Sequence, residues 1–149
     1  MGNANNQKIL TEPMSEKERA KLPKEVIVEL EVPFIDDRGA IQPLVDKDMK
    51  SCVLITSKKG SVRANHYHRT DWHYCYVLEG KIEYYERSTG SSDKPKKTII
   101  DKGQMFFTGP MLDHTMVFLE DTTFLTFGRN SRSQEIYESD IKRIDPLNE

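Results

Sequence analysis

Cysteine is scarce in this chain of 149 residues: only Cys52 and Cys75 occur. Both fall in apolar, strand-like runs, which suits buried free thiols in a reducing compartment better than a disulfide. Excess charge of either sign is also missing, with 22 Lys and Arg against 24 Asp and Glu and a formal net charge of −2. That removes any global drive towards nucleic acid or anionic membranes. No apolar run approaches the length that crosses a bilayer. The opening MGNANNQKIL has neither a basic n-region nor an apolar h-region, so no export signal is expected. Asn6 stands where an N-myristoylation motif after Gly2 requires Ser or Thr, and that motif fails. Internal repeats are absent as well. These absences leave the expectation of a polar, soluble, cytoplasmic protein with a mean hydropathy of −0.66 and no nucleic-acid or membrane partner.

What is present is a hydrophobic period of two. From Val26 onward the runs VIVELEV, SCVLITS, HYCYVLEG, KIEYYER, KTIID, QMFFT, TMVFLE and TFLTF are short and rich in β-branched and aromatic residues. Turn-formers punctuate them at Asp36–Gly39, Lys58–Gly60, Glu79–Gly80, Asp101–Gly103 and Gly109–Pro110. Many short strands at even spacing predict an all-β antiparallel sandwich or barrel. The stretch Ser88–Lys97 breaks the pattern and reads as an exposed loop between two hairpins. Ser15-Glu16-Lys17-Glu18 has the form of a capping box, predicting a short helix over Glu16–Lys21 behind a mobile tail. The chain divides into a polar segment over 1–24, a single domain over 25–145 and a tail over 146–149. The polar end, SQEIYESDIKRIDPLNE, is expected to form a last strand or short helix.

All four histidines fall inside two short segments, GSVRANHYHRTDWHYCYVLEG and GQMFFTGPMLDHTM. Neutral imidazole is the commonest protein ligand for transition metals. His66 and His68 are two apart, so on a strand both rings project from one face. His73 follows after a turn-length gap, and His114 needs the fold to bring it back. Cys75 is read as alternating away from the His73 face and is not counted as a ligand.

Strand pattern and histidine spacing together resemble the cupin superfamily. Its first motif places Gly, His, His, Glu and Gly at intervals met here by Gly60, His66, His68, His73 and Gly80, with His73 standing where Glu is usual. Its second motif is met by Gly103 and His114. Pro is displaced to Pro110, and Met111 and Phe118 replace the second Gly and the Asn. The resemblance implies a double-stranded β-helix, or small jelly-roll barrel, with a short N-terminal helical or mobile segment. It also implies that His66, His68, His73 and His114 hold a divalent transition metal (Zn, Ni, Fe, Mn or Cu). With His at position 73 the shell is neutral, which favours borderline metals and anionic or oxygen-rich substrates.

A narrower resemblance competes for the same residues. VPFIDDRGAIQPL is similar to the opening of dTDP-4-dehydrorhamnose 3,5-epimerases, through Phe34, Asp36, Arg38 and Gly39. GSVRANHYH is similar to the arginine–histidine segment of those epimerases and of the nucleotide-sugar 3,4-ketoisomerases, which are also cupins. In both groups the resemblance implies catalysis without metal. His66 would then be the general base with His68 beside it, and Arg63 would hold phosphate or sugar. Ala64 replaces a usual Gly, Arg69 replaces the ketoisomerase Lys, and Phe127 lies near the position where the epimerases carry an acid tyrosine.

Three readings follow. The leading one is a metal-binding cupin enzyme acting on a small, sugar-like or anionic molecule. The second is a metal-free sugar-nucleotide epimerase or ketoisomerase, and the third a non-catalytic small-ligand binder. The expected substrate-binding residues are Arg63, Tyr76 and Tyr85, and His66 and His68 are the expected catalytic pair. Trp72 reads as a wall of the site or as core. The cluster Arg129–Arg132 reads as a solvated turn before a phosphate contact. The edge-strand problem predicts a homodimer.

Overall fold

Alternating apolar and polar residues become two antiparallel sheets facing one another. The computed structural model describes residues 8–149, so the readings placed on Gly2 and Asn6 lie outside the described residues. In chain order the elements are α1 (Glu16–Ala20), β1 (Ile27–Val28), β2 (Phe34–Asp36), β3 (Gly39–Ile41), β4 (Ser51–Ser57), β5 (Val62–His68), β6 (His73–Glu79), β7 (Lys81–Ser88), β8 (Lys96–Asp101), β9 (Met105–Thr108), β10 (Leu112–Phe118), β11 (Thr122–Gly128), α2 (Gln134–Asp140) and β12 (Ile141–Arg143). The first sheet runs β1-β9-β6-β11-β4 and the second β12-β5-β10-β7-β8, while β2 and β3 form a hairpin of their own. Such non-consecutive neighbours are the mark of a jelly roll, whose two sheets close on a common interior.

That interior is apolar at one end. Cys75 and Val77 of β6, Ile82 and Tyr84 of β7, Ile100, Phe106, Met116, Phe118 and Phe124 form a continuous buried core. Each large side chain of this kind contributes about 1.5–3 kcal/mol by leaving water. Along β6 the inward positions read His73, Cys75, Val77, and along β10 they read His114, Met116, Phe118. The barrel therefore has a hydrophobic floor and a histidine mouth, set by the same alternation.

A second cluster lies on the outer face of the first sheet: Met14, Trp72, Tyr74, Met105, Phe107 and Phe127, packed with Leu22, Leu30, Leu44 and Val45. The segment before Val26 is thus not merely polar, because Met14 is buried. Its helix starts where the capping signal put it, with Ser15 Oγ accepting from Glu18 N at 3.1 Å. Ser88–Lys97 joins the paired strands β7 and β8, so it is the tip of one hairpin and not a link between two. The polar C-terminal stretch supplies both a helix and a strand. Cys75 is buried as expected, but Cys52 is exposed on the outer side of β4. Among the described residues no helix is long and apolar enough to cross a membrane.

One backbone feature brings the histidines into place. β5 and β10 pair His66 with His114, but Thr115 pairs with Ala64, leaving Asn65 as an extra residue. Ala64 and Asn65 take positive φ of 71° and 55°, the left-handed region that glycine tolerates best. Thr115 Oγ1 secures the bulge by donating to Asn65 Oδ1 at 2.9 Å. Ala64 occupies the position where the related arginine segments carry glycine. Ala64→Gly is expected to raise the unfolding free energy by about 1 kcal/mol, read as an upward shift of the urea midpoint. A downward shift would mean that the packing of the Ala64 methyl outweighs the backbone strain.

Candidate active site

Imidazoles of His66 and His68 (β5), His73 (β6) and His114 (β10) meet at the mouth of the barrel. Ring centroids are 4.8 Å apart for His66–His68, 4.7 Å for His66–His114 and 4.7 Å for His68–His73. His68 and His114 are each 1% exposed and His66 is 9% exposed. Gly128 stands opposite His73 in the β6–β11 pairing. A Cβ there would come within 2.5 Å of Ser51 Oγ and 3.0 Å of His73 Cδ2, so the site needs the bare backbone.

Carboxylates that sequence reasoning missed lie beside two of the rings. Asp140, the last residue of α2, places Oδ2 3.3 Å from His68 Nδ1, both side chains being almost fully buried. The same carboxylate accepts from Thr70 N at 2.7 Å, Thr70 Oγ1 at 2.6 Å and Asp71 N at 3.1 Å. Asp71 Oδ2 lies 3.0 Å from His73 Nε2, while its Oδ1 accepts from Trp72 N and Asn130 N. His114 Nδ1 lies 3.0 Å from the Leu112 carbonyl oxygen. A carbonyl can only accept, so Nδ1 carries the proton and Nε2 offers a lone pair. Both ring nitrogens of His68 are buried without a hydrogen-bond partner among the described residues.

Burial dominates the protonation of this cluster. It pushes the His66 and His68 pKa values far below the usual imidazole range, and the neighbouring histidines push them further the same way. Burial takes His114 down to about 4. Burial would raise the Asp71 carboxyl, but His73 beside it more than offsets this and holds it below the ordinary carboxylate value. These three imidazoles are accordingly neutral at pH 7, a state fit to take up protons or to accept hydrogen bonds.

α2 roofs the mouth. The ring of Tyr137 sits 6.1 Å from His66 and 5.7 Å from His68, and the Arg132 guanidinium lies over it at 3.5 Å. Neither described surface cleft is lined by any of the four histidines.

The expected substrate contacts do not join this cluster. Arg63 donates to Ser57 Oγ at 2.7 Å and to the Thr56 carbonyl at 3.0 Å, so its guanidinium is spent on β4. Tyr76 lies on the outer face of β6, packed with the Trp72 cluster. Tyr85 faces outward from β7, donates to Glu83, and is pushed up to about 12 by that bond. Its neighbour Tyr84 is the inward tyrosine, fully buried and 6.3 Å from His114. Trp72 is core rather than a wall of the site, with Lys47 Nζ 5.3 Å from its ring centroid. Arg129 is a clip: it donates to Glu18 at 2.8 Å and to the Glu12 and Thr70 carbonyls at 2.7 and 3.1 Å. Cys75 lies two residues beyond His73, in phase with it, but on the hydrophobic floor.

No family model matches the chain, and no curated protein matches it in sequence. Solved structures do match. One is the 3,4-ketoisomerase QdtA from Thermoanaerobacterium thermosaccharolyticum in complex with TDP-4-keto-6-deoxyglucose, similar with a TM-score of 0.63 and 18% identity over 78% of this chain and 85% of that one. A second is dTDP-4-dehydrorhamnose 3,5-epimerase from Sulfolobus tokodaii, at 0.58 and 19% over 74% and 78%. A third is ChmJ, a 3'-monoepimerase from Streptomyces bikiniensis in complex with dTDP-quinovose, at 0.65 and 14% over 80% and 69%. At these identities the likeness establishes the fold, a cupin jelly roll.

The metal expectation is corrected by these findings. The chain is similar to ketoisomerases and epimerases, the two groups for which the sequence resemblance implied catalysis without metal. The donor set does not fit the four-histidine shell either. Only His66, His68 and His114 bring ligand atoms mutually within 4.8 Å, while His73 Nε2 is engaged by Asp71. A second grouping of His68, Asp71 and Asp140 uses carboxylates already taken up by backbone and side-chain donors.

Proposed function

We propose that this protein is an enzyme that moves a proton next to a keto group of a nucleotide-linked sugar, as an epimerase or ketoisomerase, with a histidine as the base. The observation that carries the reading is His68: a neutral, buried imidazole whose two ring nitrogens lack hydrogen-bond partners, with the Asp140 carboxylate 3.3 Å from Nδ1. A carboxylate at that distance can orient the ring of a general base when the Nδ1–H turns towards it, leaving Nε2 to take the proton. The sequence resemblance implies His66 as the base; we assign that role to His68, which has the Asp140 carboxylate beside it, with His66 as the adjacent proton carrier.

The chemistry is short. A C–H beside the sugar carbonyl gives its proton to Nε2 of His68, and the electron pair forms an enediolate. Return of a proton to the same carbon from the other face inverts it. Return to the neighbouring carbon, after a hydroxyl proton shifts, relocates the ketone. The ring of Tyr137 lies against both imidazoles from α2, and burial holds its pKa above the ordinary value, so its hydroxyl keeps a proton to give and is not an anion.

The test is incubation with TDP-4-keto-6-deoxyglucose in deuterium oxide, followed by proton NMR. Deuterium is expected to enter the sugar at carbon beside the keto group. His68→Gln is expected to slow that exchange by about 10²- to 10⁴-fold while the fold is retained. Binding of the nucleotide sugar without any exchange would overturn catalysis and leave a ligand-binding cupin. Unchanged exchange in the variant would remove His68 from the role of base.

A further inference from the structure

We propose that the segment over residues 10–18 is a latch that holds α2, and through it Asp140, over the histidines, with Thr11 and Arg129 as its positioning residues. The latch is independent of the reaction proposed above; its effect on turnover rests on His68 being the base.

The segment is fastened to the roof of the site at its first two residues. Ser139, near the end of α2, is fully buried. Its hydroxyl gives its proton to the Ile136 carbonyl at 2.7 Å, so Oγ accepts from Leu10 N at 3.2 Å. Thr11 Oγ1 meets Thr70 Oγ1, which donates to Asp140 Oδ1 at 2.6 Å. A carboxylate only accepts, so the single Thr70 hydroxyl proton points at Asp140 and Thr11 is the donor of the threonine pair. Asn130 Nδ2 donates to the same Thr70 oxygen at 3.0 Å. Two donors on that oxygen strengthen the charge-assisted bond it gives to Asp140. The carboxylate beside His68 is thus held, through its other oxygen, by the N-terminal segment. Arg129 ties the segment to the same junction. Its Nη1 donates to the Glu12 and Thr70 carbonyls at 2.7 and 3.1 Å, and its Nε to Glu18 Oε2 at 2.8 Å.

Elsewhere the segment is held only in its middle. Met14 is its one buried residue and sits in the outer cluster with Trp72. A cleft of about 660 Å³ opens between the segment, residues 47–50 and Ile136 of α2. The segment therefore meets the roof through point contacts made by hydrogen bonds, not over a continuous apolar face. Releasing it removes the bonds at Leu10, Thr11 and Arg129 and leaves the apolar floor of the barrel untouched.

Diethyl pyrocarbonate reads the roof directly, because it acylates neutral imidazole and needs access to the ring. Its reaction with His66 and His68 at pH 7, followed by peptide mass spectrometry, is expected to be about tenfold faster in Arg129→Met than in wild type and about threefold faster in Thr11→Val. Thr11→Ser restores the donor and is expected to restore the wild-type rate. The added reaction should depend on urea with a far shallower slope than global unfolding, which separates release of the latch from a less stable fold. With TDP-4-keto-6-deoxyglucose, kcat is expected to fall about threefold in Thr11→Val at unchanged KM and to recover in Thr11→Ser. The Thr11 series decides alone where Arg129→Met does not fold. This reactivity pattern in a protein without turnover would keep the latch and remove the proposed reaction. Equal histidine reactivity in wild type and variants would overturn the latch even in a protein that turns over, as would added reactivity that rises with urea as steeply as global unfolding.

Discussion

Asp140→Ala is expected to lower the free energy of unfolding by about 3–5 kcal/mol, the largest loss foreseen for any single side chain at the site. The carboxylate is 2% exposed, and it satisfies the Thr70 N–H, the Thr70 hydroxyl and the Asp71 N–H. Alanine would leave these donors buried and unpaired. The damage spreads because Thr70 is itself a junction: its hydroxyl meets Thr11 Oγ1 of the N-terminal segment and accepts from Asn130 Nδ2 at 3.0 Å. Asp140→Asn keeps the volume and an acceptor but turns an amide donor towards one of the N–H groups, so a loss about half as large is expected. Urea titrations of both variants at pH 7.5 check the ranking. A loss below about 1 kcal/mol for alanine would mean that water takes over these donors and that α2 is not anchored by its last residue.

Acid is the second large effect. The pKa values of His66, His68 and His114 all lie below the ordinary 6.5 in the folded protein, burial being the main cause. The unfolded chain therefore binds protons at these sites near pH 6.5 while the native chain does not. Stability is full above that pH and falls as pH drops, by up to about 4 kcal/mol per pH unit for three imidazoles. The share of His114 levels off near its folded value of about 4. Asp71, held low mainly by His73 against the pull of burial, adds a loss of the same sign at still lower pH. By pH 5 the sum is expected to reach about 5 kcal/mol, comparable with the whole stability of many domains of this size. Urea midpoints between pH 7.5 and 5 read the slope directly. His114→Gln is expected to reduce it by about one third, and a flat profile would mean that the cluster protonates without unfolding.

How far the sequence carried the reading varies with the range of the interaction. The barrel was legible because alternation is local: the runs around Cys75, Ile82, Phe106 and Phe124 each place one face inward whatever their neighbours do. The meeting of four histidines was legible for the same reason, since spacing sets phase and two motifs set the ends of the strands. The pairing of His73 with Asp71 was not. Asp71, two residues away, turns back on it, and nothing in a one-dimensional pattern separates that from a solvated acid. Tyr137 and Asp140 were missed because they lie in a polar stretch that reads as a tail; they matter only once α2 folds back over the mouth. Parity alone turns Tyr76 and Tyr85 away from the interior and Tyr84 into it: Val77 and Cys75 share a face with His73, and Ile82 shares one with Tyr84. Arg63 illustrates the opposite case, in which the side chain is diverted by Ser57 and Thr56, partners that a linear motif does not contain.

The helix that covers the histidines passes without a linker into β12, an edge strand. β12 pairs Ile141 with His68 and Arg143 with His66. Uncovering the rings would therefore break the β5–β12 pairing and the Asp140 hydrogen bonds together. The affinity measured for any molecule that must reach those rings is its intrinsic affinity multiplied by the fraction of chains in which this end is open, and each 1.4 kcal/mol that favours the closed form lowers it about tenfold. The same opening frees the Tyr137 and Asp140 side chains from the mouth. A molecule that then draws them back regains what the opening took, so tightness of binding here measures closure as much as contact.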